Sequence, residues 1–293
     1  MTKSAIPKGI IYILIATFAF AWMNINAKYL SDFHPMQVVF FRAIGTYVFV
    51  APFMAIKGIS FVGYRPKLLL LRGVVGVLSL SAFFWAVQRI PVGSAISIRY
   101  VAPFFTAFLS IYLLKEKVSV YQWLSFFIAF LGVLLLKGVD ARIDLLSLFA
   151  VLFSALSVGL VFVLVRMLAK TEKVLTIIHY FMLCCIAVSL CFIQFWRWPI
   201  GQEWIWVSSI GVLGLIGQVY MTMAFKHSEA TLLAPFKYME LIYAVIIGYF
   251  FLQEKYNFFA IAAMALIILG MALNVIVKRK QQKKMRSISQ QLQ

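Results

Sequence analysis

Charged side chains are scarce in this sequence of 293 residues, and acidic ones are the scarcest. Only 12% of the residues are charged, whereas 64% are hydrophobic. A soluble domain has roughly 25% charged and roughly 45–50% apolar residues. A soluble fold of this length could not bury so much apolar surface. The composition therefore excludes a soluble protein and predicts one that is embedded in a lipid bilayer.

The few charges are mostly positive, with 27 Lys and Arg against 9 Asp and Glu. In a soluble protein this excess would suggest a nucleic-acid partner. Here the cations lie mainly in short connections and in the C-terminal tail, and no basic stripe follows a polar face. We therefore expect no nucleic acid as a partner. The excess instead indicates membrane topology, because Lys and Arg accumulate on the cytoplasmic side.

Motifs for catalysis and for metal binding are also lacking. The three cysteines fall in one apolar stretch, without metal-ligand spacing or a partner segment for disulfides. The apolar stretches contain no Ser/His/Asp, Asp/Asp or His/Glu constellation at helical spacing, and the chain has no P-loop. We therefore expect no enzyme, no metal and no cofactor.

Ten mostly apolar stretches approach the roughly 20 residues that a spanning helix needs. Their connections are short, so we expect an all-α integral membrane protein with no inserted soluble domain. The predicted spans are Ile10–Leu30, Met36–Ile56, Lys67–Val87, Gly93–Leu114, Tyr121–Lys137, Leu145–Leu168, Leu175–Trp196, Trp204–Phe225, Thr231–Leu252 and Phe258–Val277.

Alternate connections differ in charge. If the N-terminus is inside, eighteen Lys and Arg lie on the inner side and six on the outer side. Three more, Arg42, Arg99 and Lys237, lie within predicted spans. This bias predicts that both termini are cytoplasmic. The N-terminal apolar run is too long for the core of a cleavable signal peptide and is predicted to be the first span.

The two halves of the chain repeat each other at an offset of 138 residues. The offset pairs Gly73 with Gly211, Gly132 with Gly270 and Glu116 with Glu254, and it pairs Arg99-Tyr100 with Lys237-Tyr238. Because each copy has five spans, the second copy enters the membrane from the opposite side. Two inverted five-helix repeats are typical of secondary transporters, whose substrate site lies near the midplane. We predict repeats at residues 9–137 and 144–277, followed by a basic cytoplasmic tail at 278–293.

Several short motifs resemble those of the drug/metabolite transporter superfamily in its EamA-type, ten-helix form. They are Phe41-Arg42-Ala43, Arg72-Gly73, the stretch from Ala102-Pro103 to Lys115-Glu116-Lys117, Ala234-Pro235-Phe236-Lys237-Tyr238-Met239-Glu240-Leu241 and Gln253-Glu254-Lys255. The resemblance covers residues 9–277. It implies ten helices around a central cavity that alternates between inward-open and outward-open states.

Within that superfamily, the stretch Pro235–Leu241 and the segment from Asn24 to Lys28-Tyr29-Leu30 resemble bacterial S-adenosylmethionine uptake carriers. The sequence Ile98-Arg99-Tyr100-Val101 departs from them, which leaves the substrate open. The resemblance implies an amino-acid, S-adenosylmethionine or nucleotide/vitamin-like substrate and a bacterial cytoplasmic membrane. Drug or metabolite efflux by the same fold is the alternative.

Ionisable groups within a span cost roughly 2.5–3.5 kcal/mol each, which makes them candidates for function. Arg99 and Lys237 each lie six residues into a predicted span, about 9 Å deep. Entering from opposite sides, they would flank the midplane and bind a carboxylate or phosphate, while Glu240 would bind an ammonium group or a proton. The alternatives are that both cations extend toward headgroups or that Lys237 and Glu240 neutralise each other. Arg42 is a fourth candidate.

Polar and aromatic groups complete the predicted substrate site. Asn24 interrupts the first span, and an amide there needs a helix partner or a wet cavity. Aromatic faces would suit a planar or cationic substrate group. The aromatic candidates are Trp22, Trp85, Tyr100, Tyr220 and Tyr238.

We therefore predict a secondary transporter for a small polar metabolite, anionic or zwitterionic, with a small molecule and the lipid bilayer as its partners. A membrane-embedded enzyme and a channel are weaker hypotheses, because an inverted pair of repeats in one chain is typical of carriers. Proton coupling and simple exchange both remain open, as do a monomer and a homodimer.

Overall fold

A computed structural model describes residues 8–115, 118–228, 233 and 236–291 of the chain. Helix makes up 81% of the chain, and the described residues form no strand. The motif residues Glu116, Lys117, Ala234 and Pro235 lie outside the described residues. The all-α class predicted from the sequence is confirmed.

Eleven α-helices are described. They are α1 (Lys8–Tyr29), α2 (Pro35–Ile56), α3 (Pro66–Val87), α4 (Val92–Arg99), α5 (Ala102–Leu114), α6 (Val120–Val139), α7 (Leu145–Leu168), α8 (Val174–Leu190), α9 (Glu203–His227), α10 (Met239–Leu252) and α11 (Phe258–Gln291).

Eight described segments are long and apolar enough to cross a membrane: α1, α2, α3, α4 with α5, α6, α7, α9 and α11. The helices α8 and α10 are apolar but shorter. Large apolar side chains stand exposed along these helices, among them Phe49, Phe53, Leu134 and Phe149. So many exposed apolar side chains on long apolar helices are typical of contact with lipid.

The fourth predicted span is broken into α4 and α5 at Tyr100 and Val101. The Tyr100 N–H is shared between the carbonyls of Ile96 and Ser97, and Val101 donates to Ile98. The bonding therefore tightens to three-residue spacing at this point. Pro103 follows, and it has no N–H to donate to the carbonyl of Arg99. The break lies inside the predicted span, and Val92–Leu114 as a whole is still long and apolar enough to cross a membrane.

The seventh predicted span, Leu175–Trp196, is shorter in the structure than expected. The helix α8 ends at Leu190, and a 3₁₀ turn follows at Ile193–Phe195. Cys191 and Phe192 donate to carbonyls three residues back, which tightens the chain before it becomes extended at Trp196.

Most extensive helix contacts join one half of the chain to the other. They pair α1 with α9 and α10, α2 with α8 and α9, α3 with α7 and α8, α5 with α7, and α6 with α11. Exchanging each helix for its equivalent in the other half reproduces the same set of pairs. The two halves therefore pack with an approximate twofold relation, and a space between them opens at the centre.

Glycines allow the closest of these crossings. A Cβ atom on Gly45 of α2 would lie 2.6 Å from Cα of Gly211 in α9. A Cβ on Gly270 of α11 would lie 2.6 Å from the backbone nitrogen of Ala129 in α6. Small residues at such points let backbones approach, as in other membrane helix pairs.

Candidate functional site

A central cavity of about 690 Å³ lies between the two halves. Side chains from both halves form its wall, including Asn24, Arg42, Arg99, Tyr100, Lys237, Tyr238 and Glu240. Seven of the ten residues predicted to contact substrate are thus brought to one space. They are far apart in sequence, and only the packing of the two halves brings them together.

Arg99 and Lys237, the cations paired by the offset of 138, each lie over an aromatic ring. The guanidinium carbon of Arg99 is 4.1 Å from the ring centre of Phe83 in α3. The ammonium of Lys237 is 5.4 Å from the ring centre of Phe162 in α7. An aromatic face attracts a cation without neutralising it, so both charges remain able to attract an anion in the cavity.

Glu240 is the acidic residue among the described charged groups of the cavity wall. Its Oε1 accepts a hydrogen bond of 3.2 Å from the side-chain amide of Asn24 in α1. The charges of Lys237 and Arg99 both act on its carboxylate. Asn24 therefore has a partner in the other half, and Glu240 lies within the electrostatic field of the two repeat-related cations.

Tyr100 and Tyr238 meet where the two halves approach. Their ring centres are 5.2 Å apart and the rings are nearly perpendicular. The Tyr100 hydroxyl donates to the carbonyl of Lys237 at 3.1 Å. Tyr100 directly follows the last residue of α4, and Tyr238 directly precedes the first residue of α10. The two helix ends that carry the site cations are therefore tied to each other.

Arg42 is buried in the protein, with 6% of its surface exposed. It shares the ring of Phe181 in α8 with Arg72 of α3. The guanidinium carbons lie 5.8 Å and 4.4 Å from that ring centre. The Nε and Nη1 atoms of both arginines are buried without a hydrogen-bond partner among the described protein groups.

Sequence reasoning missed Arg72 and Arg166, which also line the cavity. Both were counted with the inner connections, although each lies within a predicted span and within a described helix. That position was the signal that could have identified them. With them, the described charged groups of the wall comprise five cations and one carboxylate.

Three predicted residues lie away from the described cavity wall. Trp22 packs on Phe251, with ring centres 4.9 Å apart. Trp85 supports the guanidinium of Arg89, whose carbon is 3.8 Å from its ring. Tyr220 contacts the ring of Tyr12 at 5.8 Å. None of the three is among the described residues of the cavity wall, so their contact with substrate stays a prediction.

A polar cluster lies beyond the C-terminal end of α3, which is the end of that helix farther from Arg72. We call it the Glu254 cluster: Glu254, Tyr256 and the start of α4. Both oxygens of Glu254 accept the N–H of Val92, at 3.0 and 3.1 Å, and the Tyr256 hydroxyl donates to Oε2 at 2.6 Å. Burial raises the pKa of the Glu254 carboxyl above its ordinary value, and burial also raises the pKa of Tyr256.

Lys28 ties the end of α1 to this same region. Its ammonium donates to the carbonyls of Gln88 and Ile90, at 3.2 and 3.1 Å. The described part of the chain holds no group of three or more His, Cys, Asp or Glu side chains arranged for a metal ion.

Known proteins similar to this chain are transporters. The profile of the EamA-like transporter family matches residues 7–137 and again residues 145–276. The pseudopaline exporter CntI of Pseudomonas aeruginosa (strain UCBPP-PA14) is 30% identical over 283 residues, covering 92% of this chain and 96% of the exporter.

The S-adenosylmethionine uptake transporter of Rickettsia prowazekii (strain Madrid E) is 23% identical over 249 residues, covering 84% of this chain and 85% of that protein. A crystal structure of another protein, 19% identical, covers 92% of this chain and 98% of its own with a TM-score of 0.66. That likeness supports the fold alone.

The family is one of transporters and not of enzymes, which agrees with the motifs that the sequence lacks. Three observations indicate the same family. The chain matches one profile twice, its helices are apolar, and a cavity lies between two similarly packed halves. The chain belongs to the EamA-like transporter family of multi-pass membrane proteins, within the drug/metabolite transporter superfamily.

Proposed function

We propose that this protein is a secondary transporter that moves a small anionic or zwitterionic metabolite across a bacterial cytoplasmic membrane by alternating access. The observation that carries the proposal is the meeting of Arg99, Lys237, Glu240 and Asn24 on the wall of one cavity. Two cations and one carboxylate in a low-dielectric space would bind a carboxylate or phosphate together with an ammonium group. Amino-acid, S-adenosylmethionine and nucleotide/vitamin-like substrates fit this description.

The transport cycle that we propose needs ten membrane crossings, in inverted repeats at 9–137 and 144–277, with both termini and the tail at 278–293 in the cytoplasm. In that orientation Arg72 lies toward the cytoplasm, and we propose that the cavity opens on that side while the Glu254 cluster closes the external side. The hydrogen bonds of Glu254 to Val92 and Tyr256 support this assignment of the closed end. Opening toward the outside would break them.

Exchange in vesicles tests the proposal directly. A thermal-shift screen against amino acids, nucleosides, S-adenosylmethionine and flavins identifies a ligand, since a ligand at 100 times its Kd stabilises by about 2.7 kcal/mol. Vesicles containing the purified protein should then exchange the labelled ligand in a saturable way. Conductance without saturable exchange would indicate a channel instead.

Two variants connect the exchange to the site. We expect Arg99→Ala and Lys237→Ala each to abolish exchange while the folded protein remains in the membrane, because each removes an anion-binding charge. Arg89→Ala is the matched control, since Arg89 lies on Trp85 outside the described cavity wall. Normal exchange by both cavity variants would show that these cations serve headgroups and not substrate.

The direction of flux has two candidates. Export has support because the pseudopaline exporter, which is 30% identical over 92% of this chain, is named as an exporter. The uptake carrier of Rickettsia is the counterexample in the same family. Flux measured in right-side-out and inside-out vesicles under the same gradient distinguishes export from uptake.

A further inference from the structure

The cavity holds a second pair of cations that the proposed zwitterion site does not use. Arg42 and Arg72 lie on the same ring of Phe181, at 5.8 and 4.4 Å. Arg42 has only 6% of its surface exposed, and it lines the cavity. The Nε and Nη1 atoms of both arginines have no hydrogen-bond partner among the described groups. Guanidinium groups in this state are prepared to bind an anion.

The backbone makes room for this pair at two glycines that the 138-residue offset relates, Gly76 and Gly214. A Cβ atom on Gly76 would lie 2.8 Å from the Phe181 ring and 3.3 Å from Nη1 of Arg72. A Cβ atom on Gly214 would lie 3.3 Å from Cγ of Arg42. Both arginines are thus accommodated by the fold, and neither is an incidental surface charge.

The described cavity wall offers these two like charges no carboxylate besides Glu240, and unpaired like charges near one ring destabilise the empty protein. Glu240 does not neutralise this pair of arginines. Its carboxylate accepts a hydrogen bond from Asn24 and interacts electrostatically with Lys237 and Arg99. An acidic group of the substrate would complete the pair, and a guanidinium binds carboxylate or phosphate by two parallel hydrogen bonds.

The spacing along α3 separates this pair from the first anion site. Nη1 of Arg72 lies beside Gly76, and the Arg99 guanidinium lies over Phe83. Seven residues of helix separate Gly76 from Phe83, which is about 10 Å along the axis. The two pairs of cations therefore lie at different levels of the cavity wall, where one molecule with two separated acid groups would contact both.

We propose that Arg42 and Arg72 form a second anion subsite, and that the transported metabolite carries at least two separated acid groups. This inference rests on the proposed function, since it divides the same cavity into two anion-binding ends. Lys237 and Arg99 hold one acid group, and Arg42 and Arg72 hold the other.

A matched pair of carboxylates tests it on the purified full-length protein. Butyrate has one acid group and adipate has two, separated by four methylene groups. Apparent Kd values are measured by thermal shift at constant ionic strength. We expect adipate to bind the unmodified protein about tenfold more tightly than butyrate, which corresponds to about 1.4 kcal/mol for the second acid group. Equal affinities would overturn the two-acid proposal.

Variants assign the second acid group to the subsite. Arg42→Gln and Arg72→Gln should bring the adipate affinity down to that of butyrate, and Arg42→Lys should restore part of the difference. Arg65→Gln is the control, because Arg65 is an exposed arginine at the start of the same helix. If both Gln variants keep the full preference for adipate, the subsite is wrong.

The binding test of the second subsite and the exchange test of the proposed function can fail independently. Lys237→Gln should weaken the binding of both carboxylates, because both use the first anion site. Saturable exchange of the screened ligand supports a transporter whatever the preference between butyrate and adipate. Loss of the adipate preference with exchange intact would therefore count against the second subsite alone.

Discussion

At the scale of the residue, the organising feature is the support of cavity-lining cations by aromatic faces. Arg99, Lys237 and Arg72 lie 4.1, 5.4 and 4.4 Å from the ring centres of Phe83, Phe162 and Phe181. A desolvated cation gains about 2 kcal/mol from such a face, which offsets part of the cost of placing the charge in a membrane. The positive charge itself is preserved for binding.

Glu254 gives a prediction on pH dependence at the same scale. Burial raises the pKa of its carboxyl above the ordinary 4.5, against the hydrogen bonds of Tyr256 and Val92 and the charges of Lys28 and Arg142. The folded protein therefore holds this proton more tightly than the unfolded chain. The stability contributed by this group is greatest at low pH and is lost as the pH rises from 4.5 through the folded-state pKa.

The measurement is the thermal unfolding temperature of the protein and of Glu254→Gln over a pH series. We expect the difference between the two, unmodified protein minus variant, to fall as the pH rises through that window. Glu203→Gln serves as the control, because that carboxylate forms an ion pair with Arg197 at 2.6 Å and does not belong to the Glu254 cluster. A difference that rises with pH would contradict the assigned burial effect.

At the scale of the element, helix crossings depend on the absence of side chains at glycines. A methyl group on Gly270 would lie 2.6 Å from the nitrogen of Ala129 and 2.7 Å from the carbonyl oxygen of Ser125. Both are backbone atoms of α6, so the helices must separate. Gly270→Ala should destabilise the protein by about 1–3 kcal/mol, measured as a lower unfolding temperature in detergent.

Gly138 provides the control for this prediction, since it lies in α6, the helix that Gly270 contacts. A Cβ atom there meets nothing within 4 Å. Gly138→Ala should leave the unfolding temperature unchanged or raise it, because Ala favours helix over Gly by up to about 1 kcal/mol. Equal effects of the two substitutions would show that crowding does not control this crossing.

At the scale of the whole molecule, the proposed orientation can be tested with single cysteines. Lys57 and Ala141 are both exposed, and the proposal places Lys57 in the cytoplasm and Ala141 outside. In a Cys191→Ser background, which leaves the buried Cys184 and Cys185, Ala141→Cys should react with an impermeant maleimide in intact cells. Lys57→Cys should react only after permeabilisation. The reverse pattern would invert the proposed topology.

The predictability of the site depended on where each charge stands in the apolar pattern. Arg42, Arg99 and Lys237 interrupt apolar stretches, so the cost of burying them identified them at once. Arg72 and Arg166 lie near the ends of predicted spans, where a cation also fits at the headgroups. Only the tilt and packing of α3 and α7 direct them to the cavity wall, and no sequence pattern contains that information.

The sequence by itself determined the class of protein, the repeat and the pairing of Arg99-Tyr100 with Lys237-Tyr238, because bilayer burial and internal duplication act on local composition. The shared ring of Phe181 and the positions of Trp22, Trp85 and Tyr220 relative to the described cavity wall were decided by the tertiary structure. The physical reason is that lipid requires a helix to be apolar, but only contact with neighbouring helices decides which face meets the cavity.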